Sequence, residues 1–411
     1  MSGRREWSAI PTAATATSFA LALCVANAPA TAQAQAQPPA DADIAEVVVT
    51  ARRTAERLLD VPLSVSAFSE ADVDRLGLTD ITRVAAQTPG LSFDTGAAPD
   101  DIRPSLRGIP LIEGRSNVAI LIDGVDITGL TLDDSYGGGG SALDLGVLDL
   151  ERVEVVKGPQ SVYFGRSAFA GAVEFVTKLP GDTFESKVNA AVGNFGLYEI
   201  AGHIGGPVGE SGLRLKLSAS TSRFDGYYEN PGNRLERGNR DTDGVGLTAV
   251  FEPSDAFQAI ARAYYVEAQR GQPAGYNQIR TLPPTSTEVK TFTEDDFDPS
   301  RIGFSTIVKW PGSDTESLRA NLEFNVGLGE AWSLRSLTGL NRNDGVVTYD
   351  FDQSPLDTPS GAPVGPNLFN CLAVGGCVGI YDYDVELEQL SEELRLSYDG
   401  GGAFKFMVGG Y

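Results

Sequence analysis

Beyond residue 186 the chain is dominated by strict alternation of apolar and polar positions. In residues 213–220 the odd positions are Leu213, Leu215, Leu217 and Ala219, and the even ones are Arg214, Lys216, Ser218 and Ser220; residues 318–326 repeat the scheme. Successive side chains of a strand point to opposite faces, so each such segment predicts a strand with one apolar and one polar face. About nine strands follow, near residues 186–194, 197–205, 212–222, 243–251, 256–266, 316–326, 332–342, 385–398 and 403–411. A water-soluble sandwich and a membrane barrel share this signature, and the connections separate them. Short links at 206–211, 252–255, 327–331 and 399–402 alternate with long ones at about 223–242, 267–315 and 343–384. Short turns on one side and long loops on the other are what an outer-membrane barrel requires.

Upstream the pattern is different. Val118, Ala119, Ile120, Leu121 and Ile122 form an unbroken apolar run stopped by Asp123-Gly124, which predicts a buried strand ending in a turn. A second β-rich run enters Gly158-Pro159 after Lys157, and a third spans residues 171–177. Residues 72–76 and 81–87 predict two short helices, the second capped by Thr79-Asp80 and stopped before Pro89-Gly90. This segment is a compact mixed domain. Residues 158–167 superficially suggest a nucleotide cradle, but six residues separate Gly158 from Gly165 and Arg166 stands where a lysine is needed.

Residues 117–178 carry, in order, IDGV at 122–125, ERVEVVKGP at 151–159, a Tyr-Gly turn at 163–165, and a GAV strand from 171 closing in TK at 177–178. This succession resembles the plug domain of the TonB-dependent outer-membrane receptors. The resemblance implies an α+β plug at residues 55–180 followed by antiparallel transmembrane β-barrel strands at 186–411. Pro104-Ser105-Leu106-Arg107-Gly108 matches the family's I-R-G strand, with Pro104 unexpected there. Ile44, Ala45, Glu46, Val47, Val48, Val49, Thr50 and Ala51 resemble the TonB box, an extended β-branched segment able to add itself to the edge of a partner's sheet. An ordinary first plug strand has the same composition; position, just upstream of VPLSVSAFS at 61–69, selects the box.

Likeness to the family also suggests basic plug residues facing acidic residues of the inner wall. Arg107 and Lys157 are the plug candidates and Glu393 the wall candidate. Scattered strand charges facing a wet lumen fit these residues equally well, and a hydrated pair of this type is worth about 0–1 kcal/mol. Plugged transporters close at about twenty-two strands, and an open edge in lipid leaves backbone groups unpaired. Nine strands and an end within residues 406–411 therefore predict an incomplete barrel of the 22-stranded type, in a receptor truncated at its C-terminus.

The first residues are consistent with export. Arg4-Arg5, the apolar core at 19–26 and Ala30-Thr31-Ala32 predict a signal peptide over residues 1–36, too short in its core to span a membrane. Leu23 before Cys24 argues against a lipoprotein anchor. Residues 37–54 are then a flexible leader that carries the box. Cys371 and Cys377, with LAVGG between them, suit a disulfide-closed loop in an oxidising compartment. A lone histidine, His203, gives no basis for a metal site. The net charge of -23 argues against nucleic acid as a partner. Glu294-Asp295-Asp296 lacks the twelve-position calcium pattern and reads as a solvated face. No nucleophile elbow occurs and His203 lies in an alternating strand, so no enzyme is expected and no cofactor is called for.

The family resemblance implies a transporter in the outer membrane of a Gram-negative bacterium. Its ligand would be a ferric siderophore complex, with cobalamin or an oligosaccharide as competitors. Its partners would be outer-membrane lipid and the periplasmic domain of TonB, driven by the inner-membrane proton gradient, and it would be a monomer when full length. The alternative is a truncated, non-transporting remnant or binding module in which only the plug folds. A receptor that also signals needs a folded domain before the box, for which only about ten residues are available.

Overall fold

The computed structural model describes residues 48–50, 56–78, 81–95, 102–109, 116–128, 147–165, 167–229, 236–272, 312–350, 380–402 and 404–411. All of them belong to one compact unit, Glu46–Tyr411. The expected signal peptide, most of the leader, the Thr79-Asp80 cap and Cys371 with Cys377 lie outside the described residues.

The first half is an α+β assembly. Strands β1 (Val48–Val49) and β2 (Glu56–Arg57) pair antiparallel, and a 3-10 turn at Leu58–Asp60 follows. Next come β3 (Ser64–Ser69), α1 (Glu70–Leu76), α2 (Ile81–Gln87), β4 (Leu91–Thr95) and β5 (Ile102–Leu106). Then follow β6 (Val118–Ile122), β7 (Val125–Asp126), β8 (Leu150–Lys157), α3 (Ser161–Phe164) and β9 (Gly171–Thr177). Five strands form one sheet in the order β3-β8-β9-β6-β7, with β6 and β9 parallel and the other neighbours antiparallel. Every residue of β6 is buried, which explains its unbroken apolar run: both faces of the sheet are covered. One face joins Leu78, Ile81 and Val84 of the helical layer to Val118, Ile120, Val153 and Phe175. The other packs Ala119, Leu121, Val156 and Ala172 against Val49, Val61, Phe164 and Ala168.

Helix α1 begins earlier than its apolar pattern indicates, because Ser69 caps it. The Ser69 hydroxyl accepts from the Asp72 backbone N–H, and the Asp72 carboxylate accepts from the Ser69 N–H, a complete capping box. Gly77, left-handed at φ 60°, ends the helix. Pro104 sits opposite Phe93 in the two-stranded β4–β5 ribbon. Each strand of a ribbon is an edge, where the missing proline N–H is tolerated.

The second half is a nine-stranded antiparallel sheet. It comprises β10 (Glu185–Val192), β11 (Tyr198–Val208) and β12 (Leu213–Phe224); then, past a small ribbon of β13 (Tyr228–Glu229) and β14 (Glu236–Arg237), β15 (Arg240–Ser254). It continues with β16 (Phe257–Gly271), β17 (Gly312–Leu328), β18 (Trp332–Asp350), β19 (Ile380–Asp399) and β20 (Lys405–Gly410). Strands pair in chain order from β10 to β20, and among the described residues the sheet is open rather than closed on itself. Strands β15 to β19 extend further toward the long connections than alternation predicts. There the outward positions turn acidic, as at Glu267, Asp314, Asp344 and Asp384, so the periodicity fades while the pairing continues.

One face of this sheet is apolar and exposed, with Val188, Ile200, Ile204, Leu217, Leu247, Leu322 and Leu390 among its large side chains. The opposite face buries Lys216, Ser218, Arg262, Arg319, Glu323 and Asn341. Such an inversion is unfavourable in water and is what a sheet between lipid and a polar lumen needs. Aromatic clusters mark both ends: Trp332, Tyr398 and Phe406 by the short turns, with centroids 5.1 to 5.5 Å apart, and Phe195, Phe224 and Tyr227 at the other. No described helix is long and apolar enough to cross a membrane; the crossing elements are strands.

The α1 cap gives a pH-dependent expectation. Its hydrogen bonds to Ser69, then those to Arg75, hold the Asp72 carboxyl below its ordinary pKa. The unfolded chain thus binds the proton more readily, and the cap's stabilisation is present above the ordinary aspartate range, about 3.9, and lost as pH falls through the lowered native value. Hydrogen exchange of the residue 70–76 amides is expected to accelerate on acidification across that window, and Asp72→Ala to cost about 1 kcal/mol at neutral pH.

Candidate functional site

The N-terminal segment and the plug sheet meet at a buried carboxylate. Val49 is fully buried in the second core cluster, whereas Val48 beside it is exposed. The Thr50 N–H points between both oxygens of Glu154, at 2.8 and 2.9 Å, and its hydroxyl donates to Oε1 at 3.0 Å. Arg152 Nε donates to the same Oε1 at 2.8 Å, while its Nη1 reaches Glu151 at 2.6 Å. Burial is the largest influence on Arg152 and opposes its charge, yet Glu154, with Glu151 and Glu174 behind it, outweighs burial and raises its pKa above the ordinary value. Glu154 is fully buried and stands directly opposite Glu174 in the β8–β9 ladder.

A second node joins plug to wall. Asp123 and Gly124 both have positive φ, the conformation of a two-residue hairpin between β6 and β7. This geometry turns the Asp123 carboxylate onto the end of β9, where it accepts from the Thr177 N–H at 2.9 Å and from its hydroxyl at 2.9 and 3.1 Å. Arg262 of β16 comes within 3.4 Å of Asp123 and 3.6 Å of Glu323, which in turn accepts from Arg335 at 2.7 Å. Thr50, Asp123, Arg152, Val176 and Glu174 on the plug side, with Arg262, Glu323 and Arg335 from the wall, line a polar cavity of about 110 Å³. The cavity has room for several waters.

Further contacts ring the plug. Lys216, almost fully buried, donates to Asp149 at 2.8 Å and to the Lys178 carbonyl; His203 Nδ1 lies 3.1 Å from the same aspartate. Lys187 reaches Asp74 at 2.5 Å and Glu70 at 3.3 Å. Gln389 donates to the Asp126 carbonyl at 2.9 Å, and Ser218 to that of Val147 at 2.9 Å. Tyr264, Val266 and Leu337 of the wall belong to the same apolar cluster as the plug sheet. At Gly339 a side chain is excluded outright, since a Cβ there would lie 2.5 Å from Val125 Cγ1.

These pairs set plug acids against wall bases: Glu70 and Asp74 with Lys187, Asp123 with Arg262, and Asp149 with Lys216 and His203. Arg83 with Glu199, at 3.2 Å, has the opposite sense, the one expected from the sequence. Arg107 and Lys157 come together over the Pro89–Gly90 turn. The Arg107 N–H donates to the Gly90 carbonyl at 2.7 Å and Lys157 Nζ to that of Pro89 at 3.0 Å. Burial first and the Arg107 charge second lower the Lys157 pKa. Glu393 contacts Arg395 on its own strand at 2.5 Å and lies within electrostatic range of Arg335. Of the expected box, Val48, Val49 and Thr50 are placed as above; Ile44, Ala45, Glu46, Val47 and Ala51 lie outside the described residues. Glu154 and Glu174 were legible only as charges interrupting the apolar runs Val153–Val155 and Val173–Phe175.

A family model described as the TonB-dependent receptor plug domain matches residues 57–172. The chain is 26% identical over 252 residues to the vitamin B12 transporter BtuB of Photobacterium profundum, covering 60% of this chain and 38% of that protein. It is 25% identical over 357 residues to the ferric-pyoverdine M114 receptor PbuA of Pseudomonas sp. strain M114, covering 82% and 36%. The crystal structure of the ferric yersiniabactin uptake receptor FyuA from Yersinia pestis superposes with a TM-score of 0.65 at 17% identity, over 84% of this chain and 47% of that one. The plug, the sheet that packs against it and these likenesses place the chain in the family of TonB-dependent outer-membrane receptors. It is a protein of the Gram-negative outer membrane and not an enzyme. The chain spans less than half the length of each of these three relatives.

Two substitutions test the plug–wall contact. Lys216→Met removes the ammonium from the half-buried Asp149, leaving it His203, and is expected to cost about 1–3 kcal/mol, read as a lowered unfolding midpoint and protease access to the plug. Lys405→Met, removing an exposed pair with Asp399, is expected to change neither. Gly339→Ala forces β7 and β18 apart and should cost about 1–3 kcal/mol in the same melting experiment.

Proposed function

We propose that this chain forms the plug and nine wall strands of a receptor that carries a scarce nutrient, a ferric siderophore complex, across the outer membrane. In this reading residues 1–36 are the signal peptide, 37–54 the leader with its TonB box, 55–180 the plug and 186–411 the wall. Cys371 and Cys377 close a disulfide loop on the cell exterior. Ligand binds the outer loops and plug apices, and the periplasmic domain of TonB captures residues 44–51 by strand addition. Pulling on that segment then loosens the plug.

The observation that carries this reading is the short, β-branched segment at Val48–Thr50, tied to the plug sheet through the buried Val49 and the Glu154 carboxylate, and through the cavity next to it to the wall. A segment held, among the described residues, by one strand pair, the buried Val49 and three hydrogen bonds can be withdrawn, and one that ends on the central ladder transmits what pulls it. For the ligand, the names of FyuA and PbuA specify ferric siderophores and that of BtuB specifies vitamin B12. Ferric complexes are therefore the first substrates to try.

The test is uptake of a labelled ferric siderophore by cells whose own receptors are deleted and which produce this protein. Uptake is expected to vanish in Val48→Pro, which cannot add a full ladder of hydrogen bonds to TonB, while the amount in the outer membrane is unchanged. Equal uptake by Val48→Pro sinks the proposal, and uptake of cobalamin alone reassigns the ligand. A non-transporting module in which only the plug folds predicts TonB binding without uptake, and digestion of residues 185–410 beside an intact plug. The apolar cluster shared by plug and wall favours the transporting reading.

A further inference from the structure

The β8–β9 ladder contains an arrangement that strands normally avoid. Glu154 and Glu174 are direct cross-strand partners, 0% and 5% exposed, flanked in the ladder by the apolar pairs Val153–Phe175 and Val155–Val173. Opposed residues of an antiparallel pair have Cβ atoms about 4.5–5.5 Å apart, and like charges placed there destabilise the pairing. Around Glu154 the compensation comes from two sources. Arg152 supplies one hydrogen bond, but its guanidinium is divided between Glu154 and Glu151. The other three contacts come from Thr50, through its N–H and its hydroxyl. On the far side Glu174 faces the cavity and the charge of Arg335 from the wall.

We infer that the docked Val48–Thr50 segment is the counter-group that lets the plug hold Glu154 against Glu174, so that its withdrawal turns the pair into a wedge that opens the β8–β9 ladder. This rests on the reading of the segment as the element TonB captures. It goes beyond that reading in locating where the pull acts. Withdrawal removes every Thr50 donor from Glu154 at once, and it uncovers the apolar patch over Val156 and Phe164 that Val49 fills. Buried carboxylates that lose their donors must hydrate or separate. Both outcomes loosen the two central strands, one of which, β9, is tied by Thr177 to Asp123 and through it to Arg262 of the wall. A movement of a few residues at the N-terminus thereby reaches the contact that holds the plug.

Hydrogen exchange on the full chain in outer-membrane vesicles tests this. Three proteins are compared: the intact chain, a variant lacking residues 44–50, and that variant with Glu174→Gln. Deletion is expected to speed exchange of the residue 150–157 and 171–177 amides by about tenfold or more, the equivalent of one hydrogen bond to a charged group. Glu174→Gln is expected to return most of that increase, because it removes the repulsion while leaving the Val49 patch uncovered. Glu154→Gln in the deletion background should relieve the ladder from the other side. Unchanged exchange after deletion overturns the inference, as does an increase that neither glutamine variant reverses. Binding of the periplasmic domain of TonB to the intact chain is measured in parallel. Reversal by glutamine without TonB binding upholds the wedge and removes the TonB reading; TonB binding without reversal does the opposite.

Discussion

The Asp123 carboxylate is the point at which three parts of this protein become one. It terminates the β6–β7 hairpin, accepts both polar hydrogens of Thr177 at the end of β9, and faces Arg262 of the wall. A buried carboxylate needs several donors at once, and here they come from elements far apart in the chain. The plug sheet, its exit into the wall and the wall itself are therefore held in one mutual geometry. The left-handed backbone at Asp123 and Gly124 is what aims the carboxylate inward, so the IDG part of the motif is a positioning device as much as a turn.

The wall imposes the complementary constraint. Its outer side chains are apolar because lipid offers no hydrogen bonds, and its inner face is correspondingly polar. Lys187, Lys216 and Arg262 thus require anionic partners, and the plug offers Glu70, Asp74, Asp123 and Asp149. Pairs near open solvent, such as Lys187 with Asp74, add little by themselves. Deeper pairs, such as Lys216 with Asp149, are costly to break one-sidedly. Retention of the plug is then distributed over many contacts of unequal strength, with the apolar cluster of Tyr264, Val266 and Leu337 beneath them.

Against this broad attachment the described part of the N-terminal segment, Val48–Thr50, is held by a two-residue strand pair, one buried valine and the Glu154 carboxylate. Elements that must move are drawn from the weakly held end of a structure. Here the weakly held element touches the ladder that carries two opposed carboxylates, which gives a small displacement a structural consequence.

Much of the architecture was legible in the sequence. Alternation over residues such as 213–220 reports a two-faced sheet because the side-chain period of a strand is two, and Val118–Ile122 reports a strand buried on both faces because no polar residue interrupts it. The plug motif, in order from IDGV to TK, carried the family. Strand ends were less legible, since β15 to β19 continue where the outward positions become acidic and the periodicity stops. The pairing of charges was not legible at all. Arg107, Lys157 and Glu393 were reasonable candidates by motif position, yet the Arg107 backbone N–H and the Lys157 ammonium turn to the Pro89–Gly90 carbonyls, while Asp123, Asp149 and Glu154 meet Arg262, Lys216 and Thr50, partners 139, 67 and 104 residues away, besides Arg152 two residues from Glu154. Local periodicity determines which face a side chain occupies; which opposite charge it meets depends on the register between plug and wall, and only the folded chain sets that.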